Sequence, residues 1–434
     1  LDLEQPDTED ADQLSQDLNE DIAPDLEEDT STVADLVSDQ EGFDWSWNDA
    51  DFYSEDGGEF VEDMSPDLSD GGEDTIETED LSRGCLTFYV DPSTGDDSNS
   101  GTALGEPFKT LGAAVSQLRD CDVIELARGN YSGGGYIITA DVTIRGSSSG
   151  ILEHQDDITN GLNSGADATV LKTESGGRFF TIAGSATVTM ESLRMEGGNS
   201  GGEPGGCILV EGFLTAQDLA FVDCTSNTNG GAIAVSGRTS LTRSHFQGNV
   251  SGGMGGAIYA GDGDRIEVEE CRFLNNTAIS GGAIATPNTD GNSLVLSSYF
   301  SGNSASAAGV GGAIADQDGL FINNSTFTQN SASAGAALSG AAGTTLQYCT
   351  VVDNHGLDNT DASAVSGAVT ARRSILAGND KNCAEPIVSS GHELFFDDDS
   401  CGIAFGSYPN TDPLLWPARD NGGFSYTFAF QPDS

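Results

Sequence analysis

The sequence predicts an all-β protein, a right-handed parallel β-helix with a small N-terminal strand–helix–strand cap and a disordered acidic tail before it. Three observations carry that class. GGAI recurs at 230–233, 255–258, 281–284 and 311–314, and Phe-x-x-Asn recurs at 246–249, 273–276, 300–303 and 327–330. With degenerate copies, the Phe-equivalent positions are 221, 246, 273, 300, 327, 351 and 376, spaced 24 to 27 residues apart. Such a fixed period marks a stacked repeat. No segment of the repeat has the 3.6-residue spacing of a helix, so each repeat is built from short strands and sharp corners.

Within one repeat, Cys271 and Phe273 alternate like a strand with one buried face. The ladder asparagines Asn249, Asn276, Asn303 and Asn330 should end that strand, since Asn tolerates left-handed backbone and bonds its own turn. The glycine pair makes a second corner and Ala-Ile opens the next strand. Coils stacking at ~4.8 Å would set Phe246, Phe273, Phe300 and Phe327 in an internal aromatic ladder and the asparagines in an amide ladder. The sequons at Asn249, Asn275, Asn323 and Asn324 are read as structural amides. A leucine-rich repeat has a similar period, but its L-x-x-L-x-L signature is absent.

Composition narrows the function. The 434 residues include 3 lysines and carry a formal charge of −54. This argues against nucleic acid, which needs Lys and Arg for its phosphates, and against anionic lipid. No apolar run approaches the ~18–20 residues of a membrane span. Eight cysteines suggest an oxidising compartment. The chain begins without Met or signal peptide, so it is expected to be a mature or trimmed piece.

Residues 1–82 hold 31 acidic residues and no Lys, Arg or His, so they are expected to be a disordered tail or linker. An aromatic island (Phe43, Trp45, Trp47, Phe52, Tyr53) is read as part of a solvated spacer. Residues 83–130 should form the cap: a strand over 86–90, an amphipathic helix over 108–118 and a strand over 122–126. Cys85 and Cys121 precede the two strands, and parallel pairing would join them. The β-helix proper should span 131–380, with a polar loop over 147–167, and a C-terminal cap or anchor-like segment should span 381–434. Cys383 and Cys401 are the other disulfide candidates, worth ~3 kcal/mol. Cys271 and Cys349 share a repeat position but lie three coils apart, ~14 Å at the usual stacking distance, so both should be buried free thiols.

Some of these words resemble known families. YVDPSTGDDSNSGT (89–102), PFKTLGAAV (107–115) and DVIELARGNY (122–131) look like the opening of bacterial secreted β-helix proteins of the pectate-lyase-like superfamily. The alternation of GGAI with FxxN resembles polymorphic outer-membrane protein repeats of chlamydial type, whose surface-exposed β-helices serve adhesion. No β-barrel translocator follows here, so that export mechanism is not carried over. NC (382–383), SSGHELFFDDDSC (389–401), DPLL (412–415), DNGG (420–423) and FAFQPDS (428–434) look like the C-terminal segment of "choice-of-anchor" β-helix proteins, whose pattern normally runs on past this point.

Enzymes on this fold place catalytic groups on the outer face of consecutive coils. The outward row before each Phe holds His245, Arg272 and Tyr299, the one cluster with chemical character and the candidate binding residues; an open, solvent-facing ladder is the plainer reading. Arg243 and Glu270 should be cross-strand neighbours in the row beside it. Asp262, Asp264 and Glu267 are a thin match to the paired carboxylates of a hydrolase, and Asp-Gly-Asp is ordinary turn chemistry. His154, His355 and His392 have no partner at metal spacing. Asp91, Asp96, Asp97 and Asn99 would suit calcium, but turn capping is the better reading. No catalytic residue, metal site or cofactor is assigned, with calcium left open. The function expected is a bacterial secreted or cell-surface, outer-membrane-associated protein, non-enzymatic and monomeric, acting as an adhesin or surface structural element with a glycan or cell-surface ligand. The alternative is a polysaccharide lyase or hydrolase of the pectate-lyase-like superfamily.

Overall fold

The computed structural model describes residues 83–151, 168–173, 176–261, 263–287, 292–357, 363–389, 392–395, 398–402, 408–409, 411–419, 421 and 426–432. The acidic segment with its aromatic island, and most of the 147–167 insertion, lie outside the described residues. The regular elements described are strands apart from one short helix, and every ladder between strands is parallel.

One coil shows how the sequence makes the turn of the solenoid. Arg265–Glu269 runs in a first, twelve-stranded sheet. Glu270 turns the chain with φ +53°, and Arg272–Leu274 enters a second, twelve-stranded sheet that carries the Phe residues. Asn275 turns it again at φ +55° into Thr277–Ala278, part of a narrow six-stranded sheet. Gly281 makes the third corner at φ +63°, and Ile284–Thr286 joins a ten-stranded sheet of stacked Ile and Val. Cys271 and Phe273, expected on one strand, are divided: the Cys faces the core from the corner and the strand starts after it.

The left-handed corner lies one residue before the ladder asparagine, at Gly248, Asn275, Gly302, Gln329, Asp353 and Gly378. This frees the asparagine side chain to point inward, where it bonds the neighbouring coil instead of its own turn. Asn249 Nδ2 donates to Asn276 Oδ1 (2.8 Å), Asn276 to Asn303 (2.9 Å), Asn303 to Asn330 (2.9 Å), Asn330 to Asn354 (2.9 Å) and Asn354 to Asn379 (3.0 Å). The backbone N–H of each donates to the same oxygen, so buried polar groups are satisfied in series. Of the four sequon residues only Asn249 is a ladder amide; Asn275 and Asn324 are left-handed corners and Asn323 lies in a strand of the first sheet.

Beside the amides run the rings. Phe221, Phe246, Phe273, Phe300 and Phe327 stack with centroids 4.7–4.8 Å apart and planes within 9°. Each such pair adds about 0.5–1.5 kcal/mol beyond its area. The second glycine of each pair is required by contact, not by φ: a Cβ on Gly282 would lie 2.1 Å from the carbonyl oxygen of Gly312.

At the N-terminal end Thr87–Val90 pairs with Val123–Leu126, with Thr87 opposite Val123, and this register sets Cys85 beside Cys121, which are joined. The helix is shorter than expected, Leu111–Val115, capped by the Thr110 side chain. Phe108 is drawn instead into a parallel bridge with Val90. The 95–108 loop covers the exposed edge of the first sheet, with Tyr89 N–H donating to Gly101 and Phe108 N–H to Tyr89; such an edge otherwise invites association. Cys383 and Cys401 are also joined. A third bridge, Cys207–Cys224, was not anticipated: Cys224 holds the ladder position one coil before Asn249 and donates its N–H to Asn249 Oδ1. Cys271 and Cys349 are free and buried.

Candidate functional site

Because the Phe side chains point inward, the residues on either side of them point outward, and strand register places His245 opposite Arg272 and Arg272 opposite Tyr299. The sequence-predicted row is therefore assembled. It is not open to solvent: His245 is 0%, Arg272 1% and Tyr299 1% exposed. The expected solvent-facing ladder is corrected to a buried one, and over Arg272 and Tyr299 the cover is the C-terminal segment.

That segment forms a hairpin, bridged in antiparallel fashion at Leu415–Phe430 and Arg419–Thr427. Trp416 N–H donates to Ala429 and Gln431 N–H to Leu414. Its Tyr426 ring sits 4.7 Å from the Arg272 guanidinium carbon and edge-on to Tyr299, with centroids 5.4 Å apart. Leu274 and Ala418 pack around it. Beneath, His245 Nε2 lies 3.3 Å from Gln247 Oε1, while its Nδ1 has no hydrogen-bond partner. Burial, reinforced by the Arg272 charge, pushes the imidazole down to about 4, so the row is neutral at His245 and cationic at Arg272 near pH 7. A signal for the hairpin was in the sequence: Asn421-Gly422-Gly423 is turn chemistry, and Tyr426, Phe428 and Phe430 alternate after it.

The other candidates are structural. Arg243 and Glu270, expected in strands, are both corner residues with φ +46° and +53°, and Arg243 pairs with Asp218 at 2.9 Å. Asp264 is buried and accepts the Gly261 N–H, closing its turn, while Glu267 stands in the first sheet between Ser240 and Leu294. Asp262 and His154 lie outside the described residues. His355 pairs with Asp380 at 3.0 Å, and His392 is exposed. Asp91 takes the Ser93 and Thr94 hydroxyls and is held at about 2, chiefly by Ser93. Asp96 accepts from Ser98, Asn99 donates to the Pro107 carbonyl, and Asp97 accepts the Lys109 and Thr110 N–H groups. Among the described residues no group of three or more His, Cys, Asp or Glu is placed to hold a metal ion, and no helix is long and apolar enough to cross a membrane.

Further along the same sheet the hairpin stands away from the coils and leaves a cleft of about 340 Å³. Gln329 and Asp353 line it from successive coil corners, and Asp412, Trp416 and Phe428 line it from the C-terminal segment. Trp416 is 41% exposed, with Arg419 5.8 Å from its ring centroid. Among the described residues no Lys, Arg or His lines it, and Arg419 stands beside it at the Trp416 ring.

Comparison with known proteins agrees with the architecture. A family model described as a right-handed β-helix region matches residues 232–400, which together with the parallel coils makes this a right-handed β-helix protein. Solved structures similar to it include XylC in complex with xylose (10% identity, 80% of this chain and 73% of that one, TM-score 0.33). Pectin methylesterase PemA from Erwinia chrysanthemi is another (9%, 76% and 94%, TM-score 0.30), and a rhamnogalacturonan lyase a third (12%, 71% and 74%, TM-score 0.31). At these identities and scores the likenesses say nothing of chemistry. No curated protein matches the sequence.

Proposed function

We propose that this is a rigid, non-enzymatic element of a bacterial secreted or surface assembly, an adhesin-type scaffold whose acidic first 82 residues act as a tether. The observation that carries the reading is the closure of the His245–Arg272–Tyr299 row beneath Tyr426: the outward cluster with the most chemical character is used to dock the chain's own hairpin. Three disulfides suit an oxidising compartment. They stand at the N-terminal cap, within the solenoid one coil above the amide ladder, and just beyond the ladder's foot. An enzymatic reading would require the hairpin to lift before substrate could meet Arg272.

The test is release of reducing ends from a broad panel of acidic and neutral polysaccharides, with and without calcium. No release is expected. Sustained turnover by the intact chain, abolished by Arg272→Ala, would overturn the proposal and return the row to catalysis.

A further inference from the structure

We infer that the row Phe213–Arg238–Arg265 on the outer face of the first sheet is a binding site for a sulfate ester carried by an otherwise uncharged saccharide. The inference deepens the scaffold reading by naming a ligand class for its surface, and rests on it only in taking the ligand to be bound and not cleaved.

The sheet itself shows how an outward arginine is ordinarily accommodated. Arg145 stands in register between Glu125 and Glu191 on the neighbouring coils and bonds both, at 2.8 and 2.5 Å. Further along, the register sets base on base. Arg238, which opens the strand Arg238–Thr242, lies opposite Arg265 of the next coil, ~4.8 Å away along the stack. Like charges directly opposite one another are destabilising, and the chain has 70 acidic residues to its 16 Lys and Arg. Yet among the described residues neither guanidinium has an ion-pair partner. Arg238 is exposed and Arg265 partly so, and both are carried on interior strands of a twelve-stranded sheet, the rigid mounting that a recognition site needs.

Around the pair stand groups suited to a sugar. Phe213, opposite Arg238 on the preceding coil, is 45% exposed. Two residues further along the strands, on the same outward face, Thr143, Thr189, Thr215 and Ser240 follow one another in register. This file of hydroxyls runs along the stack and ends at Glu267.

The charges select the ligand. A carboxylate has two oxygens, which one guanidinium fork saturates, and the second arginine would go unanswered. A sulfate ester presents three terminal oxygens on a tetrahedral face and takes donors from both. With Glu267 two residues beyond Arg265, two positive charges meet one negative, so the patch matches a monoanion. A sulfate ester is one; a phosphate monoester near pH 7 carries more charge. The −54 of the whole chain repels polyanions at longer range, which favours sparse sulfation over dense. The Phe213 ring then meets the C–H face of a sugar, and the hydroxyl file answers its hydroxyl groups. A peptide bearing sulfotyrosine would find no strand edge to pair with, since every strand of the patch is flanked on both sides.

The test is calorimetric titration of the full chain at low salt with sparsely sulfated oligosaccharides of galactose, galactosamine and glucosamine. Their desulfated counterparts, an oligogalacturonate and a sulfotyrosine peptide are titrated beside them. Saturable binding is expected for at least one sulfated series, lost on desulfation and weakened by added salt. Arg238→Gln and Arg265→Gln should each weaken it about tenfold or more, the scale of a hydrogen bond to a charged group. Phe213→Ala should weaken it severalfold and Glu267→Gln tighten it severalfold. Because the pair is a like-charge contact, Arg265→Gln should leave the urea midpoint unchanged or raise it; a clear drop would give the pair a structural role and overturn the inference. Failure of every sulfated series to bind would also overturn it, as would binding that both arginine variants leave unchanged. Oligogalacturonate as tight as the best sulfated series would overturn the sulfate assignment, and a tighter sulfotyrosine peptide the saccharide. Cleavage of a bound oligosaccharide would instead overturn the scaffold reading and leave this site standing.

Discussion

The guanidinium of Arg272 lies 4.7 Å from the ring centre of Tyr426, although 153 residues of sequence separate them. Both side chains are 1% exposed, so the cation meets the aromatic face in a desolvated setting, where such a contact is worth about 2 kcal/mol. Tyr426→Ala should therefore destabilise the hairpin by roughly 3–5 kcal/mol, the usual cost of truncating a buried aromatic, and Tyr426→Phe by far less. Hydrogen exchange should show lost protection over 411–419 and 426–432, with protection of the Phe and Asn ladders retained. Uniform loss across the solenoid would contradict this account.

The buried imidazole gives that contact a pH dependence. His245 faces Arg272 and Gln247, with the Arg194 charge nearby, and is held at about 4, below its unfolded value of ~6.5. The unfolded chain then binds the extra proton first as pH falls. The stability contributed by neutral His245 is complete above pH 6.5 and is lost as pH drops from there towards 4, at about 1.4 kcal/mol per unit. Urea unfolding at pH 7.5, 5.5 and 4.5 should show a steeper fall for the parent than for His245→Gln. Parallel slopes would refute it.

The amide ladder should respond sharply to one deletion. Asn303→Ala removes the oxygen that accepts from both the backbone and the side chain of Asn276, and the donor to Phe273 and Asn330. Each orphaned group costs about 1–3 kcal/mol, so a loss of roughly 3–6 kcal/mol is expected in denaturant unfolding. A loss below about 1 kcal/mol would mean that water replaces the amide.

Burial pushes the thiols of Cys271 and Cys349 up to about 12, and only the thiolate reacts. Both should resist a maleimide at pH 8 in the native protein and react in full under denaturant. Rapid native labelling of either would show that the coils open locally.

Much of this architecture was legible because it repeats. Phe246, Phe273, Phe300 and Phe327 announce their stack by spacing alone, and the free state of Cys271 and Cys349 follows from their distance in coils. The Cys85–Cys121 pairing was legible from the strands that follow each residue. The sealed row was not. Register brought His245, Arg272 and Tyr299 together from the sequence, but burial depended on Tyr426, which arrives once, by a long-range contact with no periodic trace. Cys224 was missed for a related reason: it stands where the ladder pattern predicts an amide, and its partner Cys207 lies between the Gly205-Gly206 corner and the strand that begins at Ile208. Corner residues such as Arg243 and Glu270 read as strand because their left-handed backbone is imposed by stacking, and their side chains carry no turn signature.

The amide ladder runs in one direction. From amide to amide, every Nδ2 from Asn249 to Asn354 donates towards the oxygen of its C-terminal neighbour, while its other N–H donates back to a Phe carbonyl of the preceding coil. A stack completed only as far as one coil therefore presents two waiting donors, the side-chain amide and the backbone N–H, to whichever coil arrives next. An arriving coil that offers an asparagine oxygen in register answers both at once, while one that is slipped answers neither. The solenoid thus has a growing end and a starting end, distinguishable by chemistry as well as by position. The amide ladder closes where Asn379 donates to Asn382 within its own turn, while the Phe sheet continues through Leu394–Phe395 to Tyr408–Pro409.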